Sequence, residues 1–141
     1  MAAPPAPGPG LLLVNSKISH PEILNEETFI KWYSTEHIPE ILNTSGVNSS
    51  LRFQNKDPKA ERPYLVLYPM GDIGFTQSDE FKKIGIYSDL LPGGAPVNDL
   101  VDMDVRVYSF IDKYEPNGPV KPGMLEPQDM IGRGINFDRS D

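Results

Sequence analysis

Cysteine is absent from the 141-residue chain. Its absence excludes disulfide bonds, thiolate catalysis and cysteine-ligated metal sites. Basic residues are also scarce, since 13 Lys and Arg stand against 20 Asp and Glu, giving a net charge of −7. Such a chain lacks the basic face that binding to nucleic-acid phosphates or to an anionic membrane surface requires. We therefore expect neither nucleic acid nor a membrane as a partner.

Long apolar runs are missing as well. The apolar run near the N-terminus, LLLV at residues 11–14, is much shorter than the ~7–15 residues of a signal peptide or the ~20 of a membrane helix. This favours a cytoplasmic protein. Proline and glycine, in contrast, are abundant, at 15 and 12 residues, and gather at the two ends. They indicate a disordered leader at residues 1–10, a folded domain at 11–115 and an extended or disordered arm at 116–141.

The folded part has the pattern of an α+β domain with the order β-α-β-β-α-β. Short apolar or alternating segments predict strands at residues 11–18, 48–56, 62–72 and 102–114. A first helix is predicted to begin at Asn25 and to run to about Glu36, where Pro39 disturbs it before a stop near Gly46. A second helix is predicted over residues 76–91, with an interruption at Gly85. This order matches the ferredoxin-like plan, a four-stranded antiparallel sheet with both helices on one face.

The third predicted strand is apolar on both of its sides. Tyr64, Val66 and Tyr68 point one way, and Leu65 and Leu67 point the other way. Two helices cover only one face of the sheet, and the sequence provides no further layer for the other. Exposed apolar faces of this size usually mark an interaction site. We therefore expect a homodimer in which two sheets face each other.

Three segments carry a resemblance to a known family. Residues 29–42, FIKWYSTEHIPEIL, resemble the first-helix signature of the dimeric α+β barrel superfamily in its EthD-like branch, an aromatic pair followed by EHIP. Residues 62–70, RPYLVLYPM, resemble that branch's third strand, and residues 104–116, DVRVYSFIDKYEP, resemble the closing strand of its fungal members. The resemblance covers about residues 11–115. Fungal relatives often contain two such units, so the single unit here favours a homodimer.

The resemblance implies a cavity between sheet and helices in which aromatic or polyketide-like substrates react without metal or organic cofactor. Reactions in the superfamily include decarboxylation, aldol-type cyclisation, isomerisation, dehydration and cofactor-free oxygenation. We expect a lyase or cyclase of secondary metabolism that acts on a polyketide or aromatic intermediate. Two alternatives stay open: a cofactor-free monooxygenase of an anthrone-like substrate, and a non-catalytic dimer that binds a hydrophobic ligand or a partner protein.

Histidine is the side chain best suited to proton transfer at neutral pH, because its ordinary pKa is about 6.5. The chain has two, His20 and His37. We predict His37 as the acid/base, with Tyr33 one helical turn before it as its catalytic partner. A helix-terminal histidine that only caps carbonyl groups is the other interpretation. His20, in the loop after the first strand, would lie at the mouth of the cavity and is the alternative catalytic histidine.

The remaining candidates are predicted to bind substrate. Trp32 would form a pocket wall, and Arg52 would hold a carboxylate or an enolate. The full predicted set of substrate-binding residues is Trp32, Arg52, Tyr64, Tyr68, Tyr108 and His20. Two histidines without a fixed spacing or a third ligand are weak grounds for a metal site, so no metal is predicted.

Overall fold

The computed structural model describes residues 8–118, which form an antiparallel sheet of four strands and several short helices. The strands are β1 (Gly10–Ile18), β2 (Leu51–Gln54), β3 (Tyr64–Met70) and β4 (Val101–Ser109). The helices are α1 (Glu26–Trp32), α2 (Ile38–Leu42), α3 (Asp79–Lys82) and α4 (Val97–Leu100). A π-helical turn (Tyr33–His37) joins α1 to α2, and 3₁₀ turns occupy Ile73–Gln77 and Pro92–Gly94. The predicted α+β class with one four-stranded antiparallel sheet is confirmed.

The sheet has the strand order β2-β3-β1-β4, and every neighbouring pair is antiparallel. Its two faces differ in burial. Leu12 of β1 pairs with Tyr68 of β3 on the helix-covered face, where both are buried. Leu13 pairs with Leu67 on the opposite face, where both are partly exposed. Because strand side chains alternate between faces, this pairing register keeps each apolar set on one side.

Helix α1 begins where the sequence predicts. The Asn25 side-chain oxygen accepts a hydrogen bond from the Thr28 backbone N–H at 2.8 Å, as expected of an N-cap. The inward face of α1 and the π-helical turn carries Phe29, Trp32 and Tyr33, each at most 2% exposed. These three aromatic side chains fill the space between the helical segment and the sheet.

The sequence predicts that the first helix runs only to about Glu36. In the structure the helical segment continues through the π-helical turn to Leu42. In that turn the Ile38 N–H donates to the Tyr33 carbonyl, five residues back. Pro39 then lies in the first turn of α2, a position where its missing N–H is tolerated. His37 is therefore in the middle of a helical segment, and the interpretation of His37 as a helix-terminal cap is wrong.

The predicted helix over residues 76–91 is also wrong in extent, because α3 spans only Asp79–Lys82. Its N-cap is Ser78, whose hydroxyl accepts a hydrogen bond from the Phe81 N–H at 3.1 Å. The helix stops early because the Gly85 N–H donates to the Glu40 carboxylate at 3.1 Å, not to a helical carbonyl. Helix α4 (Val97–Leu100) lies outside both predicted helices.

The chain divides into two compact units, one up to Phe110 and one from Ile111. Gly8 and Pro9, predicted as leader, accept hydrogen bonds from the backbone N–H groups of Ile73 and Phe110, each at 2.8 Å. Strand β4 ends at Ser109 rather than near residue 114. In the second unit, Lys113 and Glu115 form an ion pair at 3.1 Å.

Two predicted segments lie partly beyond these residues. Residues 1–7 of the leader and 119–141 of the arm are outside the described part of the chain. Within residues 8–118, no helix is both long enough and apolar enough to cross a membrane.

Candidate functional site

A cavity of about 380 Å³, here called the His37 cavity, lies on the helix-covered side of the sheet. The sheet contributes Leu12, Val14, Tyr68, Met103 and Val105 to its wall. The helical segments and the chain around them contribute His37, Ile41, Thr76, Phe81, Lys82 and Ile84. The volume falls in the range of roughly 300–1,000 Å³ that small-molecule sites occupy, and the lining is mainly apolar with a few polar groups, as such sites usually are.

His37 is held in the cavity wall by two aromatic rings. Its imidazole stacks on Trp32, with 4.5 Å between ring centres and 18° between planes. The edge of the Tyr33 ring meets it at 5.2 Å and 88°. Burial lowers the pKa of His37 to about 4, because the charged imidazolium loses its hydration. His37 is therefore neutral at pH 7, and its buried Nδ1 has no hydrogen-bond partner among the described residues.

Tyr68 lines the cavity from the central strand β3. Its side chain is 1% exposed, and its hydroxyl is buried without a hydrogen-bond partner within residues 8–118. Burial, and then the neighbouring Tyr33, raise the pKa of Tyr68 above its usual range. A phenol in this state is neutral at pH 7 and able to donate a hydrogen bond.

Tyr33 connects His37 to a second, smaller cavity of about 240 Å³, which Arg52 and Tyr64 also line. The Arg52 guanidinium carbon lies 5.1 Å from the centre of the Tyr33 ring, and its Nη1 donates to the Ser34 hydroxyl at 2.7 Å. Burial raises the pKa of Tyr33 to about 12, although the Arg52 charge acts in the opposite direction. The Tyr33 hydroxyl, like that of Tyr68, has no partner in the described part of the chain.

The arrangement combines a neutral base with neutral hydrogen-bond donors. A neutral imidazole in an apolar cavity accepts a proton, and phenols beside it donate hydrogen bonds to an oxygen on which negative charge develops. Polar atoms that are buried without partners are costly, so such groups are usually satisfied by water or by a ligand. Within residues 8–118, no three His, Cys, Asp or Glu side chains group together as metal ligands.

The other predicted site residues are distributed over three places. Trp32 supports His37 from behind through the ring stack. Tyr64 lines the second cavity, and its hydroxyl donates to the Glu26 carboxylate. Burial, and then that hydrogen bond, raise the pKa of Tyr64.

Trp32, predicted as a pocket wall, lines neither cavity, and two further predicted residues also lie outside both. Tyr108 lies opposite Leu11 on the sheet face away from the helices, and is 45% exposed. The strand alternation that brings Val105 to the helix-covered face necessarily turns Tyr108 to the other face. His20 is exposed in the loop after β1, where its Nδ1 lies 3.0 Å from the Glu22 carboxylate.

Sequence reasoning missed the wall formed by α3 and the residues around it. Phe81, Lys82 and Ile84 line the His37 cavity, as does Thr76 from the preceding 3₁₀ turn. The signal was present, because Phe81 and Ile84 are three residues apart after the Ser78 cap and so share a helical face. Their contact with β1 and β4 depends on how α3 docks, which the local pattern does not encode.

This chain is similar to a fungal protein over most of its length. The fungal protein is "Core atranone cluster (CAC) protein 1" of Stachybotrys chlorohalonatus (strain IBT 40285), 34% identical over 109 residues. The alignment covers 76% of this chain and 46% of the relative, so the chain spans about half the length of the protein it matches. No family model and no solved structure matches the chain. Membership of the EthD-like branch therefore stays a prediction.

Proposed function

We propose that this chain is a cofactor-independent enzyme of secondary metabolism that acts on a polyketide or aromatic intermediate in the His37 cavity. Its reaction would be a cyclisation, decarboxylation or dehydration. The observation that carries the proposal is that His37 and Tyr68 line one mainly apolar cavity, and that each has a buried polar atom, Nδ1 and the hydroxyl, without a partner among the described residues. A ligand with a carbonyl and an acidic C–H or O–H would give both atoms a partner.

The likeness to the Stachybotrys protein supports the metabolic setting. That protein is named for a core atranone cluster, and 76% of this chain aligns with it. Such a cluster belongs to secondary metabolism, and we propose an apolar aromatic or polyketide intermediate as the substrate. A mainly apolar cavity with few polar groups suits such molecules.

The geometry suggests how the residues would divide the work. Neutral His37 would take a proton from the carbon or hydroxyl group next to a substrate carbonyl, and Tyr68 would donate a hydrogen bond to the carbonyl oxygen as it becomes an enolate. The proton on His37 would then return to a departing hydroxyl, which leaves as water, or to carbon. The apolar walls would hold the chain folded near its reactive conformation.

The sheet supports the proposal of a ferredoxin-like domain that pairs with a second copy as a dimeric α+β barrel. β1 and β3 lie in the centre of the sheet and β2 and β4 at its edges, as that plan requires. The face away from the helices carries partly exposed apolar residues: Leu11, Leu13, Leu51, Phe53, Leu65, Leu67 and Tyr108. Burial of this face by a second copy would remove a continuous apolar surface from water.

Site substitutions test the proposal directly. We expect His37→Gln to lower turnover of a responsive aromatic polyketide by about 10²–10⁴-fold, the usual contribution of a general acid/base. Tyr68→Phe removes only the donor hydroxyl, and should lower kcat more than it raises KM. His20→Gln is the matched control, because His20 lies outside the cavity, and should keep full activity. Product formation would be followed by chromatography and mass spectrometry.

The same assay separates the alternatives. Turnover under nitrogen equal to that under air supports the lyase, whereas turnover only in air indicates the monooxygenase. A wild-type protein that binds aromatic polyketides but converts none of them would be a binding module. Full activity of His37→Gln would contradict the acid/base role.

A further inference from the structure

We infer that the His37 cavity takes an amphiphilic acid: an apolar aromatic or polyketide body with a ketone or phenol at its buried end and a carboxylate beside Lys82. The inference rests on the proposed function, because it names the substrate class of the same cavity. It adds a specificity-determining residue, Lys82, that the proposed chemistry does not use.

The polar groups of the cavity wall are divided by burial. The His37 Nδ1 and the Tyr68 hydroxyl are buried and neutral at pH 7. Neutral partners in an apolar setting match a neutral ketone or phenol, since a carboxylate placed there would lose its hydration without a counter-charge. The buried part of the cavity therefore fits the uncharged end of a ligand.

The solvent side of the cavity carries its positive charge. Lys82 and Val105 both line the cavity and both are exposed, Val105 at 54%. Lys82 is the one charged side chain among the described residues of this wall. A lysine in such a place lays its methylene stem along apolar surface and keeps its ammonium group in water. That position suits an anionic group at the outer end of a ligand.

Two of the acids near α3, Glu80 and Glu40, have hydrogen-bond partners other than Lys82. Glu80 accepts hydrogen bonds from the Ser45 hydroxyl and backbone N–H, and Glu40 accepts from the Gly85 N–H. The hydrogen bonds from Ser45, with a smaller contribution from the charge of Lys83, lower the pKa of Glu80. The Lys82 side chain, by contrast, has no hydrogen bond or ion pair to another residue in the part of the chain that the structure describes.

The negative charge of the whole chain strengthens the case that an acidic ligand would bind beside Lys82 rather than elsewhere on the surface. A net charge of −7 repels an acidic ligand from most of the surface. The ammonium group of Lys82 at the cavity mouth would attract an acidic ligand, and its contact would select the acid over a neutral ester of the same shape. An ion pair at an exposed position contributes modestly, so we expect a selectivity of about three- to ten-fold in Kd.

Calorimetric titration with a matched pair of probes tests the inference. The probes are 6-hydroxy-2-naphthoic acid, which carries its phenol and carboxylate at opposite ends, and its methyl ester. We expect the wild type to bind the acid more tightly than the ester. Lys82→Met should weaken binding of the acid by about three- to ten-fold and leave the ester unchanged, and Lys82→Arg should retain the preference.

Lys83→Met is the control, because Lys83 is the adjacent exposed lysine and does not line the cavity. It removes the same charge and should leave both affinities unchanged. If Lys82→Met and Lys83→Met weaken binding of the acid equally, or if neither variant weakens it, the proposed contact with Lys82 is wrong. The proposed function is unaffected by that result. If the wild type binds neither probe, and His37→Gln leaves that unchanged, the cavity does not bind aromatic ligands and both proposals are wrong.

Discussion

His37 lies in surroundings that fix its charge as well as its position. Its imidazole stacks on the indole of Trp32 and meets the edge of the Tyr33 ring, so it is largely withdrawn from water. Burial alone thus accounts for the low pKa of about 4. A base with this pKa is fully available at neutral pH, although it is weaker than an ordinary histidine.

The low pKa of His37 predicts a pH dependence of stability. Above the ordinary value of 6.5, His37 is neutral in both states and contributes nothing. As the pH falls from 6.5 towards about 4, His37 becomes protonated in the unfolded chain but stays neutral in the folded chain. The free energy of unfolding should therefore fall, by at most about 3 kcal/mol for this group.

Urea unfolding between pH 7 and pH 4.5 measures this dependence. The wild type should lose more stability over that interval than His37→Gln does. His20→Gln serves as the comparison, since His20 is exposed, and should keep the wild-type slope. If the free energy of unfolding changes equally with pH in the wild type and in His37→Gln, folding does not lower the pKa of His37.

At the scale of single residues, the sequence selected some side chains that share a cavity wall and others that do not. His37 and Tyr68 were selected from residue chemistry and the EHIP motif, and the structure places both on one cavity wall. Tyr108 was selected by residue type, but the parity of β4 turns it away from the cavity. Lys82 was overlooked, because its place in the wall arises from the packing of α3 and not from any local pattern.

At the scale of elements, the loop after α2 closely contacts the 3₁₀ turn at Ile73–Gln77. Gly46 lies flat against the Phe75 ring, and a Cβ added there would meet the ring at 2.1 Å. Phe75 in turn packs edge-on against Phe81 of the cavity wall, with 5.9 Å between ring centres. Gly46 thus allows the loop to lie close to the residues that support α3.

Gly46→Ala should therefore destabilise the fold by about 1–3 kcal/mol, because the new Cβ would overlap the Phe75 ring and force it to move. Gly71→Ala is the matched control, since a Cβ at Gly71 meets nothing within 4 Å. Chemical denaturation of both variants gives the comparison. A Gly46→Ala protein as stable as Gly71→Ala would mean that Phe75 moves aside freely.

The two central strands were predictable over their length, whereas the extent of the helices was not. Alternation in β1 and β3 is a local property, and both strands form within two residues of their predicted ends. The length of α3 is set by Glu40, which captures the Gly85 N–H from 45 residues away. The π-helical turn likewise combines a buried aromatic pair with Pro39, and no short-range propensity distinguishes it from a helix that breaks.

At the scale of the whole molecule, the open sheet face predicts self-association. Leu67 is central to it, with Leu13 beside it on β1 and Leu51 on β2. Leu67→Lys would place a charge in the middle of that face. We expect the wild type to sediment at twice the mass of one chain, and Leu67→Lys to sediment as a single chain, because burying an unpaired lysine is costly.

Asn98→Lys provides the control, since it adds the same charge at an exposed position of α4 and should leave the wild-type mass unchanged. Sedimentation over a range of micromolar concentrations would record all three proteins. A wild type that stays a single chain throughout would rule out the dimer and leave the apolar face to another partner.

Trp32 has a consequence for how the site can be observed. It is the chain's only tryptophan, and its ring is stacked on His37. All indole fluorescence of the protein therefore originates beside the proposed base. Protonation of His37 or the arrival of a ligand in the cavity changes the surroundings of that one emitter. The molecule thus carries a built-in optical reporter, and occupancy of the cavity can be followed in the unlabelled protein.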